Sequence, residues 1–264
     1  MSSNESLGRA RAEAFRAEHE LGVSAVKDVF ALVHATTGID VLSLDAGEAE
    51  HGLSMRDPAT GRSVIAVATT SNPMRQRTSV AHELGHVLAG DIDRPTGDRP
   101  GARTPAEIQA DTFARHLLLP LAAVRIRVAT SNVSRAELSA IVQEFEVSPR
   151  VAAIQLKETR YIDAATCGAW APLSAQVLAA EFGWLSQYRS LVAASQQPRA
   201  PQALMARAVA GYYSGVLGLP EVALWYGQDA ADLEAELGPP SSGSQIDEDW
   251  GRDAPLFPTD RPSP

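Results

Sequence analysis

Cysteine is nearly absent: Cys167 is the only one among 264 residues. One thiol cannot close an intrachain disulfide, which excludes a stapled secreted fold and a multi-cysteine metal cluster. As a lone thiol, Cys167 reads as a small buried hydrophobe rather than a nucleophile. Lysine is almost missing too, with Lys27 and Lys157 the only examples. The net charge of -9 excludes a whole-surface match to nucleic acid or anionic lipid. No run reaches the ~20 apolar residues of a membrane span. The start, Met1-Ser2-Ser3-Asn4-Glu5-Ser6, lacks the basic and apolar regions of an export signal, so the cytoplasm is the expected location. No regular internal repeat is found.

What is present is a soluble-protein balance, 45% hydrophobic, and alternation between helical and strand patterns. Residues 5–20 read as a helix. A second helix is expected from about Val23, with Val26, Val29, Phe30 and Val33 on one stripe and Gly38 as its stop. Ile39–Leu44 reads as a short strand. Gly52–Met55 and Ser63–Ala68 flank Asp57-Pro58-Ala59-Thr60-Gly61 and read as a hairpin. A helix from Pro73 or Met74 to Leu88 follows, ended by Gly90 and Asp91, and residues 91–103 read as a loop. Thr104, Pro105 and Glu107 then open another helix as N-cap, first residue and capping box. It stops before Pro120.

Residues 134–160 have helix-turn-helix form, with Leu138, Ile141, Val142, Phe145, Val147, Val151, Ile154 and Leu156 as the apolar set. Stretches 173–193 and 201–236 also read as helical, and 238–264 as a disordered acidic tail. The expected class is α+β: a core with a small sheet over 1–125, a helix-turn-helix-like module over 126–165, a helical region over 166–237, and the tail.

The chemistry concentrates in His82-Glu83-Leu84-Gly85-His86. On a helix the two histidines lie about 40° apart on one face, so both rings can reach one Zn²⁺ ion. Glu83, on the flank of that face, can take a proton from the attacking water without ligating the metal. Gly85 costs about 1 kcal/mol in a helix relative to alanine, which implies a close approach of backbone or substrate there. A third ligand is required. Asp91 and Asp93 follow closely; Glu107 lies in the next helix, with Asp111 one turn on, able to accept the free ring N–H of a ligand histidine. His116 falls on the opposite face from Glu107, and His19, His34 and His51 have no partner spacing. Tyr161 is a candidate to stabilise a developing oxyanion.

Residues 77–88 and 107–120 together resemble the ImmA/IrrE metallo-endopeptidases. The second block, from Glu107 through Ala110, Asp111, Phe113, Ala114, Leu117 and Leu118 to Pro120, matches the family form E-x-x-A-D-x-F-A-x-x-L-L-x-P. Thr78 and His116 depart from it. The resemblance covers about 20–160. It implies a gluzincin-like site in which His82, His86 and Glu107 hold zinc and Glu83 is the base, and a target that is a helix-turn-helix repressor, cleaved to relieve repression. Two rival readings start from residues 134–160 and from binding alone: a DNA-contacting regulator, and an adaptor that holds a repressor without cutting it. Over 121–160 six basic side chains face four acidic ones, too thin an excess for a phosphate-binding face. The intact Glu83 has no use in an adaptor.

Overall fold

The computed structural model describes residues 2–46, 52–56, 61–92, 104–128 and 133–239. The first helix, α1 (Ser3–Glu18), begins with a reciprocal cap: the Ser2 hydroxyl accepts from the Glu5 N–H, and the Glu5 carboxylate accepts from the Ser2 N–H at 2.7 Å. The second, α2 (Val29–Thr37), starts later than the stripe from Val23 suggested. The reason lies in the carbonyls before it. Arg16 takes those of Leu21, Gly22 and Ser24, and Arg77 takes those of Val26 and Lys27. Committed to guanidinium groups, they hold this stretch outside the helix, and Asp28 caps α2 by accepting from the Ala31 N–H at 2.9 Å.

Three strands form one sheet in the order β1 (Asp40–Leu44), β3 (Ser63–Ala68), β2 (Gly52–Arg56). β1 runs parallel to β3, and β2 antiparallel to it with Gly52 opposite Val67 and Arg56 opposite Ser63. The expected hairpin pairing is therefore present; its tip at 57–60 lies outside the described residues. Central β3 buries Ile65, Ala66, Val67 and Ala68 in succession, as a strand covered on both faces does. On the far side of β1, Ser43 and Arg199 exchange backbone hydrogen bonds of 2.9 and 3.1 Å. β2 is left as the free edge of this sheet among the described residues.

Helices α3 (Pro73–Ala89) and α4 (Pro105–Leu118) pack on each other and on the sheet and α1. Glycines permit the closeness. A Cβ on Gly8 of α1 would stand 2.3 Å from the Gln109 carbonyl oxygen of α4, and one on Gly85 of α3 would stand 3.2 Å from the Ala110 Cα. The cost of Gly85 thus has its compensation in the approach of the α4 backbone. After α5 (Leu121–Arg127), the pair α6 (Arg135–Phe145) and α7 (Pro149–Glu158) is joined by a turn in which Glu146 is left-handed, φ 51°. Its apolar residues Leu138, Ile141, Val142, Phe145, Val147 and Leu156 share one hydrophobic core with Val80, Phe113 and Leu117.

The stretch read as helical over 173–193 is two helices, α9 (Ala175–Glu181) and α10 (Leu185–Ser195), broken at Gly183 with φ 80°. They are preceded by α8 (Ala164–Trp170), which the pattern did not suggest and which buries Cys167. The chain divides into two compact units, Met1–Gln202 and Ala203–Pro264. In the second, α12 (Leu219–Tyr226) packs on α13 (Ala230–Leu237), and the Tyr212 and Tyr213 hydroxyls of α11 (Gln202–Tyr213) donate to the carbonyls of Gly238 and Leu237 at the end of α13. The tail beyond 239 and residues 93–103 of the loop lie outside the described residues. No helix among the described residues is long and apolar enough to cross a membrane.

Candidate metal centre

Two helices and one loop residue build the site. Asn72 caps α3 by accepting from the Arg75 N–H at 3.1 Å, and Pro73 occupies its first turn. From there the helix carries His82, Glu83 and His86 to the face opposed by α4. It closes at Gly90 in the left-handed conformation, φ 67°. That reversal turns Asp91 back on the last turn, so Asp91 Oδ1 stands 2.9 Å from His86 Nδ1. α4 is capped by Thr104, whose hydroxyl accepts from the Glu107 N–H at 3.3 Å. The Glu107 carboxylate does not complete a capping box. Its two oxygens are spent on the histidines instead, each 3.3 Å from an Nε2, Oε2 to His82 and Oε1 to His86. One turn on, Asp111 Oδ1 lies 3.0 Å from His82 Nδ1.

The donor set decides what this arrangement can hold. A carboxylate on each Nδ1 fixes the proton there, so each Nε2 presents a lone pair. The two Nε2 atoms are 3.0 Å apart and share the Glu107 carboxylate. Two lone pairs and an anion converging on one point repel unless a cation lies among them. Burial opposes charge on His82, but Asp111 and Glu107 outweigh it and push its pKa up to about 10. The hydrogen bond from His82 in turn holds the Glu107 carboxyl below its usual range, against the effect of burial. The ligand atoms of His82, His86 and Glu107 all lie within 4.8 Å of one another, the one such group among the described residues. Imidazole nitrogens and a carboxylate oxygen are the donor types of a three-ligand Zn²⁺ site with an open fourth position.

Glu83 sits beside this cluster, 9% exposed. No hydrogen bond or ion pair holds its carboxylate among the described residues. Its oxygens still reach solvent, so the carboxylate is free to accept a proton from water.

Residues 35–157 match the family model Peptidase M78, described as an IrrE N-terminal-like domain. This stretch is similar to an M78 peptidase domain. The helices α3 to α6 and all three strands lie within the match, which runs from the end of α2 to the last turn of α7 and so extends over the helix-turn-helix-like pair. The M78 type is metal-dependent, and the cluster of His82, His86 and Glu107 is where this domain could bind its metal. No curated protein matches the chain.

The remaining candidates separate from the M78 site. Tyr161 is not brought to the histidines: it packs on the hydrophobic core and lines a cavity of about 390 Å³ with Val133, Lys157, Arg160, Ile162, Asp163 and Thr166. His116 is buried on the far side of α4, with Gln155 3.3 Å from its Nδ1 and Glu158 3.5 Å from its Nε2. His19 packs on Phe15, and His34 lies 3.6 Å from Asp40. His51 and Asp93 lie outside the described residues. The role that sequence reasoning missed is that of Asp91, weighed as an alternative third ligand behind Glu107 and engaged with His86 Nδ1. Its signal was a carboxylate directly after a helix-stopping glycine, one residue past the turn that carries the second histidine.

Proposed function

We propose that the chain is a zinc-dependent endopeptidase that cleaves a helix-turn-helix repressor in the cytoplasm and thereby relieves repression. The observation that carries the metallopeptidase reading is the convergence of His82 Nε2, His86 Nε2 and the Glu107 carboxylate, each ring braced by its own aspartate, with Glu83, unpaired among the described residues, alongside. Bound Zn²⁺ supplies Lewis acidity there, polarising the scissile carbonyl and making water a nucleophile near neutral pH. Glu83 accepts the proton of the attacking water and delivers it to the leaving amine as the C–N bond breaks. Asp111 and Asp91 hold the two rings in the tautomer that keeps each Nε2 free for the metal. The free edge of β2 begins at Gly52, against Glu83, so an extended peptide added to that edge would run past the base.

The repressor as target rests on the M78 match and the family resemblance. A folded domain does not thread such an edge, so the cleaved stretch is a flexible or locally unfolded segment. The DNA-contacting alternative is disfavoured by α7, which buries Ala152, Ala153, Gln155 and Leu156 and packs on α5, α6 and α8 rather than offering a free recognition face. Co-expression with the cognate repressor tests the proposal. Two defined fragments are expected, with feeble action on casein and none after chelation. Digestion of unrelated unfolded proteins at comparable rates would favour a housekeeping peptidase instead.

A further inference from the structure

Gly52 opens β2 without any need of its own backbone for glycine, since its φ is outside the left-handed region. What the missing side chain accommodates is Glu83. A Cβ on Gly52 would stand 3.2 Å from Glu83 Cγ, 3.2 Å from Glu83 Oε1 and 3.3 Å from Val67 Cγ1. All three are closer than side-chain contacts ordinarily come, so a methyl group there would force a neighbour to give way.

We propose that Gly52 is a positioning residue for Glu83: the bare backbone of β2 is the wall against which the carboxylate is aimed. This rests on the reading of Glu83 as the base. The helix fixes only the Cα of Glu83, and three side-chain torsions remain. Among the described residues no hydrogen bond or ion pair selects among them, so packing must. Gly52 faces the side chain on one side, where a Cβ would come within 3.2 Å of both the Cγ and one carboxylate oxygen. The wall is itself held, because Gly52 pairs with Val67 of the central strand. A methyl group at 52 therefore meets a buried strand pairing behind it and a movable carboxylate in front, and the carboxylate is the part that shifts. A general base has to lie within hydrogen-bond reach of the proton it takes, and small displacements are costly, about 10²-fold for 1 Å.

The test is Gly52→Ala, Glu83→Gln and the double variant, assayed on a quenched-fluorescent peptide chosen from a random pool because the wild type cleaves it and Glu83→Gln does not. Gly52→Ala is expected to keep full zinc and an unchanged melting temperature, hold KM within about twofold, and lose kcat by about 10–100-fold. Adding it to Glu83→Gln is expected to change the residual rate by less than about twofold, because the group it misplaces is already gone. An unchanged kcat, or an equal loss in the Glu83→Gln background, would overturn the proposal. A crystal structure of Gly52→Ala gives a readout independent of turnover: the Glu83 carboxylate displaced, with His82, His86 and Glu107 unmoved. A displaced β2 with Glu83 in place would overturn it equally. If no peptide is cleaved in a Glu83-dependent way, the peptidase reading fails, and the crystal structure still decides whether Gly52 places Glu83.

Discussion

At the site, five side chains divide two jobs. His82, His86 and Glu107 converge on one point, while Asp111 and Asp91 each hold the back of one ring. The two jobs predict different losses. Replacing His82, His86 or Glu107 by alanine removes a donor and should abolish zinc binding, measured as metal per chain after dialysis. The wild type should carry about one ion. Asp111→Ala and Asp91→Ala should retain the site but weaken it by about 10–100-fold each, read by competition with a chromogenic chelator. Loss as complete for Asp91→Ala as for Glu107→Ala would return Asp91 to the role of ligand. His82, His86 and Glu83 were legible because their spacing is local and the helix alone arranges them. Asp91 was harder to place, since a left-handed glycine decides whether the next carboxylate faces the metal or the back of a ring.

The helices carry these side chains into register, and the crossing of α3 and α4 is the contact that matters most. Gly85 sits at it, where a Cβ would lie 3.2 Å from the Ala110 Cα and 3.2 Å from Phe113 Cδ1. Gly85→Ala gains about 1 kcal/mol of helix propensity. Overpacking against backbone and a buried ring costs about 1–3 kcal/mol and should win. The variant is expected to melt lower and bind zinc more weakly, because α4 carries Glu107 and Asp111 away from α3. A rise in melting temperature with undiminished zinc affinity would show that the helices do not need this closeness. Element boundaries were readable where the signal is local: the start at Pro73, the cap at Thr104 and the stops at Gly38 and Gly90 all fall where the sequence indicates. The start of α2 was not, because Arg16 and Arg77, distant in sequence, take the carbonyls that a helix would have used. The break at Gly183 was lost for a related reason, an apolar stripe continuing across a left-handed turn.

Across the whole molecule, α4 links the metal centre to the helix pair. Its far face buries His116 beside Gln155 and Glu158 of α7, with Arg115 paired to Glu158 at 2.9 Å. Burial holds the His116 ring below its usual pKa, and Glu158 is held below the carboxylate range by His116 and Arg115 despite its own burial. Above about pH 6.5 both contributions to stability are intact. As pH falls below that value the unfolded chain takes up a proton that folded His116 refuses, and stability drops. It drops again below the ordinary glutamate range as Glu158 is protonated. Because His82, with its raised pKa, gains stability over the same window, the loss is read as the difference between wild type and His116→Gln in denaturant unfolding from pH 7.5 to 5, which should move in favour of the variant as pH falls. A difference that stays constant over that window would remove His116 from the account. None of this coupling was visible in the sequence, where His116 stood only as a departure from a family pattern. The claim on which everything else depends is that Glu83 acts on water at a metal held by its neighbours. Its most direct test is repressor cleavage by Glu83→Gln, with zinc determined on the same sample. The account predicts a full complement of zinc and no detectable fragments. Near-normal cleavage by that zinc-loaded variant would contradict it.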